Sequence, residues 1–283
     1  MTSIHQDRPL GDGRTAIFRH PLVVRLTHWA TALSILALLP SGLQILNAHP
    51  ALYFGDVSTY STPAAAIVAE PDAQGLPRGY LQVGDLRVET TGLLGVSKDA
   101  AGGPLVQAIP RWATLPRDYD IAAARRWHFF FAWTFAISGL VYVAHGLAGG
   151  RIRRMLLPTP ADLRGFGSSV IDHLRFRFDH GEAARSYNVL QKLTYGAVLF
   201  GLLPLMVWTG LAMSPAMDAR FHGLSALVGG RQTARTLHFL SAMGVVAFVA
   251  VHIAMVIAAG PINQVRSMLT GWFVIRDDKE KAS

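Results

Sequence analysis

Four long apolar runs dominate the pattern of hydrophobic and polar positions, over about 22–46, 126–147, 193–213 and 236–259. Each is long enough to cross a hydrocarbon core about 30 Å thick, where only a helix or a closed barrel satisfies its own backbone. Long apolar runs, rather than alternating strands, supply most of the hydrophobic content. The pattern therefore predicts an all-α membrane protein: one domain over 1–283, a bundle of four transmembrane helices with a long external loop between helices one and two. The first run exceeds the apolar core of a signal peptide, about 7–15 residues, and residues 47–51 make a poor cleavage site, so the first helix is expected to be retained. Pro40 and Gly42 predict a kink in its outer half. Pro204 in the third run is tolerable in lipid.

The polar gaps carry the orientation. The gap at about 149–188 holds Arg151, Arg153, Arg154, Arg164, Arg175, Arg177 and Arg185, and both flanks of the chain are basic. The gap at about 49–125 instead collects Asp56, Glu70, Asp72, Asp85, Glu89, Asp99, Asp118 and Asp120. Positively charged loops stay inside, so both termini and the 149–188 loop are expected in the cytoplasm. The net charge of +8 is thereby a topology and lipid-headgroup feature, and no nucleic-acid role follows from it. Within the external gap, residues 79–88 read as two short strands around Gly84-Asp85, part of a small ordered cap. Residues 161–178 read as a short helix on the membrane surface. The chain has no cysteine, which excludes disulfides, thiolate-bound iron–sulfur clusters, zinc-thiolate sites and covalently attached haem.

Histidines then change the picture. His238 and His252 lie fourteen residues apart in the fourth run. On a helix that spacing puts both within about 40° of one face and about 21 Å apart along the axis. One imidazole thus falls near each side of the membrane, where an unpartnered imidazole is costly. His28 and His128 lie just inside the first and second runs. With the termini inside, depth pairs His28 with His252 near the inner face and His128 with His238 near the outer face. Four such imidazoles suit two b-type haems, each held through one ring nitrogen of two histidines. His145 lies at the depth of the inner pair and competes with His28 for that role. His5, His20, His49, His173, His180 and His222 fall in flanks or loops and are assigned no metal. Gly42 and Gly139 leave room for a flat macrocycle or for plain helix packing. Arg25, Arg126 and Arg235 lie within about a turn of a proposed ligand and suit haem propionates or the membrane boundary.

The pieces RLTHW at 25–29, RRWHFFFAW at 125–133, YNVLQK at 187–192 and TLHFLSAMGVVAFVAVH at 236–252 resemble the dihaem cytochrome b subunits of formate dehydrogenases and nickel-iron hydrogenases. The chain looks closest to the thiosulfate-reductase, or prokaryotic cytochrome b561-like, branch. The resemblance implies the same ligand set and a quinone site beside the cytoplasmic haem, formed by Asn188 with Gln191 and Lys192. The same three residues also read as a helix cap followed by an interfacial lysine. It further implies a bacterial inner-membrane protein that transfers electrons in a respiratory chain between the quinone pool and a periplasmic oxidoreductase subunit, often molybdopterin-dependent. Two other classes stay open on the residues alone. One is a stand-alone b561-like oxidoreductase acting on quinone and a small oxidant or superoxide; the other is a haem-free membrane anchor.

Overall fold

The computed structural model describes residues 7–11, 13–99, 101–167, 170–171, 188–221 and 223–276. Strands β1 (Arg8–Gly11) and β2 (Arg14–Phe18) precede the first long helix, α1 (Leu22–Leu46). Six short strands follow: β3 (Ala51–Leu52), β4 (Ala65–Pro71), β5 (Pro77–Val83), β6 (Leu86–Glu89), β7 (Val96–Lys98) and β8 (Pro104–Val106). The second long helix is α2 (Ile121–Ala148), after which come α3 (Arg151–Met155) and α4 (Pro160–Arg164). A third stretch is built from α5 (Val189–Ala197), a π turn (Val198–Leu202) and α6 (Leu203–Ala212). Then come α7 (Pro215–Arg220), α8 (Arg231–Ala258), α9 (Pro261–Thr270) and β9 (Trp272–Arg276). Four helical stretches, α1, α2, Val189–Ala212 and α8, are long and apolar enough to cross a membrane, in accord with the hydrophobic pattern.

Local chemistry sets where these helices start. The Asp120 carboxylate accepts from the Ala123 backbone N–H at 2.8 Å, so α2 begins on a polar turn five residues ahead of the apolar run. Gly229 and Gly230, both with positive φ, end the preceding turn, and α8 opens on the polar residues Arg231-Gln232-Thr233. In the third stretch Pro204 has no N–H to give the carbonyl of Phe200, and its ring crowds that oxygen. The wider π turn at Val198–Leu202 sits at this point of the helix and absorbs the conflict.

An all-α description fits only the spanning helices; three small antiparallel sheets flank them. The order β3-β4-β5-β6 forms a meander, and β7 pairs with β8. The strands expected at 79–88 are present as β5 and β6, which meet at Val83↔Leu86 around Gly84-Asp85. Gly84 takes φ +55°, as such a tight hairpin turn demands. The third sheet, β1-β2-β9, has no counterpart in the sequence reading. It pairs Ile17 with Phe273 and buries Ile17, Phe273 and Ile275 as a core of its own. Of the surface helix expected at 161–178, α4 is present at its start, and residues 172–178 lie outside the described residues, as do His5, His173, His180 and His222.

The chain divides into two compact units whose boundaries cut all four long helical stretches. One comprises Met1–Ala30, Ile137–Leu203 and Gly244–Ser283. In it the sheet β1-β2-β9 and helix α9 brace the start of α1. Trp29 Nε1 donates to the Met268 carbonyl at 3.1 Å, Arg25 donates to the Leu269 carbonyl, and Asn263 exchanges two hydrogen bonds with the Val274 backbone. The other unit comprises Thr31–Ala136 and Pro204–Met243. Here the strand-bearing cap is tied to α1 by fully buried Gln44, which donates to the Asp118 carbonyl at 2.7 Å, and by Asn47, which accepts from Ile109 N at 2.7 Å. It is tied to α8 where the Gly55 carbonyl accepts from Gln232 N and Thr233 N, and where Thr236 Oγ1 donates to the Tyr53 carbonyl at 2.6 Å. A Cβ at Gly230 would run into the backbone of Gly55, so this crossing requires glycine.

Candidate functional site

Each unit holds one facing pair of imidazoles. In the cap-bearing unit, His128 on α2 faces His238 on α8 with ring centroids 6.3 Å apart and planes at 61°. Both rings are part-buried. Two further helices supply what surrounds them. On α1, Ser41 Oγ lies 3.1 Å from His128 Nδ1 and donates to the Ala37 carbonyl at 2.7 Å. On α6, Thr209 Oγ1 lies 3.1 Å from His238 Nδ1 and donates to the Leu205 carbonyl at 2.7 Å. The residue after each hydroxyl is glycine. A Cβ at Gly42 would stand 3.2 Å from His128 Cε1, and one at Gly210 would stand 3.4 Å from His238 Cε1.

In the other unit, His28 on α1 faces His252 on α8 at 6.4 Å and 57°. Phe248 stacks on His252 with centroids 5.8 Å apart, and Trp29 meets His28 edge-on at 5.2 Å. His28 Nδ1 is buried and has no hydrogen-bond partner among the described residues. His145, the sequence competitor for this position, is part-exposed on α2; the ring that faces His252 is His28.

The separations discriminate between ways of pairing two rings. A direct N–H···N bond of about 2.9 Å would bring collinear ring centres to about 5.1 Å. A metal held by two bonds of about 2 Å spreads them to about 6.3 Å. Both pairs match the second figure. Among the described residues no cluster of three or more histidines or carboxylates could hold a metal ion. A haem would need from the chain only a pair of imidazole nitrogens to hold its iron. The residues present fit that demand, with the two imidazoles of each pair on separate helices and part of each ring left uncovered.

Other sequence candidates take more local partners. Asn188 caps α5: its side chain accepts from Gln191 N at 3.0 Å, while Gln191 Oε1 accepts from Asn188 N at 3.3 Å. This reciprocal capping box is one of the two readings the sequence left open. Lys192 is buried, and its Nζ lies 2.7 Å from Asp162 Oδ2. That oxygen also accepts from Thr159 N and Thr159 Oγ1, and the hydrogen bond from Lys192, followed by those from Thr159, lowers the Asp162 carboxyl to about 2. Arg25 and Arg235 spend guanidinium hydrogens on the Leu269 and His49 carbonyls, and Arg126 is exposed. Just before α1, His20 is buried, its Nδ1 without a partner among the described residues, and burial, then Arg19, Arg151, His28 and Arg25, lower it to about 3.

Sequence reasoning missed Ser41, Thr209 and Gly210. The available signal was a repeat, Ser41-Gly42 in the first apolar run and Thr209-Gly210 in the third. Gly42 was singled out, but it makes room for the His128 ring itself; a Cβ at Gly139 meets nothing within 4 Å.

A family model described as prokaryotic cytochrome b561 matches residues 19–271. A curated protein of Azospira oryzae, named "Putative protein-methionine-sulfoxide reductase subunit YedZ1", is 32% identical over 136 residues. That match covers 48% of this chain and 66% of the relative, just under two thirds of its length. No solved structure gives a significant match.

Proposed function

The chain belongs to the prokaryotic cytochrome b561 family of haem-binding membrane electron-transfer proteins, and from that premise we propose that it conducts electrons across a bacterial inner membrane through two b haems. His28 and His252 ligate one haem; His128 and His238 ligate the other. The observation that carries this reading is the pair of imidazole separations, 6.4 and 6.3 Å. The haem iron supplies the one-electron chemistry. The chain would hold each haem through these imidazoles and would set their basicity through what Nδ1 touches.

The basic and acidic loops support an orientation with both termini in the cytoplasm. The His128–His238 haem then lies toward the periplasm, beneath the strand-bearing cap. Exposed Phe54, Tyr60 and Trp112 on that cap suit a docking face for a periplasmic oxidoreductase subunit, with a molybdopterin enzyme as the expected class. A relative named as a reductase subunit supports service to a catalytic partner. At the cytoplasmic side, quinone binds at the mouth of α5, beside Asn188, Gln191 and Lys192. The buried Lys192–Asp162 pair gives that mouth a donor for a quinone carbonyl and a route for protons to the cytoplasm.

The test is a reduced-minus-oxidised spectrum with haem quantitation on detergent-purified protein, repeated for His252→Ala and His128→Ala. Two b haems in the parent and one in each variant, with distinct midpoint potentials remaining, are expected. Colourless parent protein would overturn the reading and leave a membrane anchor. Quinol oxidation with a small oxidant in the isolated protein, at rates that no partner increases, would point to the stand-alone oxidoreductase.

A further inference from the structure

The two imidazoles of the cap-bearing unit are seated alike, by residues on two other helices. On α1, Ser41 Oγ donates its single hydrogen to Ala37 O at 2.7 Å, with Leu38 O next nearest at 3.2 Å. On α6, Thr209 Oγ1 donates to Leu205 O at 2.7 Å, with Met206 O at 3.2 Å. Each hydroxyl has thereby committed its hydrogen to its own helix and can only accept from the histidine 3.1 Å away. On α6 the carbonyl three residues before the hydroxyl meets the same ring. Met206 O lies 3.1 Å from His238 Nδ1. A carbonyl has no hydrogen to give, and each hydroxyl has given its own to its helix, so Nδ1 carries the N–H in both rings and Nε2 keeps its lone pair. The following residue, Gly42 or Gly210, lets the ring approach this close.

We propose that Ser41-Gly42 and Thr209-Gly210 are matched cradles that fix the Nε2-ligating tautomer of His128 and His238 and hold the midpoint potential of that haem down. The proposal rests on the reading of these histidines as haem ligands. Acceptors on Nδ1–H push electron density through the ring toward Nε2 and favour the oxidised iron. A hydroxyl already donating to a carbonyl is polarised into a better acceptor. His28 in the other unit has no partner on Nδ1 among the described residues, so no such contribution comes from that ligand. Ser41 and Thr209 are positioning residues: both are fully buried and act only through the imidazoles.

The test is a potentiometric titration of the holoprotein in detergent, comparing the parent with Thr209→Val, Ser41→Ala and Thr209→Ser. His128→Ala identifies which of two Nernst components belongs to the His128–His238 haem. Thr209→Val and Ser41→Ala are expected to keep both haems, to move that component to higher potential and to leave the other in place. Thr209→Ser, which keeps the hydroxyl, is expected to titrate as the parent does. Ser41→Ala deletes a single oxygen, so it reads the effect even if the bulkier change at 209 lowers yield. Full haem content with neither component moved, or movement of the component that persists in His128→Ala, would overturn the cradle proposal and leave the haem assignment standing. Loss of no haem in His128→Ala would instead overturn the ligand assignment on which it rests.

Discussion

A methyl group at position 42 would stand 3.2 Å from Cε1 of His128, whereas one at position 139 would meet nothing. The first contact is tighter than an ordinary carbon–carbon approach, and the ring it presses on is pinned by Ser41 from the same helix. Gly42→Val is therefore expected to reduce haem content from two per protein to one, while Gly139→Ala keeps two; pyridine haemochrome assay of the purified variants decides it. His20 makes a different kind of prediction. It is held neutral, with a folded value of about 3 against an ordinary 6.5. The unfolded chain therefore binds a proton in a range where the folded chain does not. Its contribution to stability is intact above pH 6.5 and declines as pH falls from there toward 3. The thermal midpoint in detergent is expected to drop between pH 7.5 and pH 5, and His20→Gln is expected to shrink that drop.

Among the elements, the third helical stretch joins two chemistries in one span. Its first turn is set by the Asn188–Gln191 capping box, and its second half carries the Thr209-Gly210 cradle beyond the π turn and Pro204. The cap and the quinone reading make separable demands on Asn188. Asn188→Ala removes the cap and is expected to cost about 1 kcal/mol. Asn188→Asp keeps an acceptor for Gln191 N but loses the amide donor. Under the quinone proposal Asn188→Asp raises the quinol KM several-fold at an unchanged thermal midpoint; an unchanged KM would assign Asn188 to capping alone. The four spans were legible in the sequence because lipid imposes a length and an unbroken apolar run that soluble folds do not need. The fourteen-residue spacing on α8 and the matching of His28 to His252 and of His128 to His238 were legible for the same reason. The Ser41 and Thr209 hydroxyls were not, since a mid-helix hydroxyl bonding its own i−4 carbonyl is common. Which one also meets an imidazole depends on how each helix is rotated. The sheets were mostly hidden as well: β3 has two residues, β7 and β8 three each, too short for an alternating pattern to register. The β5–β6 hairpin showed because its Gly84-Asp85 turn is marked locally.

For the molecule as a whole, the distribution of charge matters more than its total. Arginine between α2 and α5 and acidic residues in the cap give the chain a polarity that its four apolar stretches alone lack. That polarity is testable without background, because the chain has no cysteine. In Ser61→Cys, on the exposed cap, a membrane-impermeant maleimide added to spheroplasts is expected to label the protein. In Arg153→Cys, on the exposed face of α3, labelling is expected only after the membrane is broken. The reverse pattern would turn the molecule over. Orientation has an energetic side, since an electron crossing the full membrane field exchanges about 2.3 kcal/mol per 100 mV. The sheet β1-β2-β9 adds a constraint of another kind, on the order in which the protein can be made. Strand β2 pairs with β9 from Arg14↔Arg276 to Phe18↔Trp272, partners from opposite ends of the described chain. At about 5–20 residues per second, the about 250 residues between them take a ribosome about 12–50 s. Throughout that interval the β1–β2 hairpin waits with a bare edge, and α1 sits in the membrane without the brace that Met268 and Leu269 later provide. Synthesis thus delivers both histidines of the cap-bearing unit before the strand that closes the other one, so the His28–His252 unit is the last to be completed.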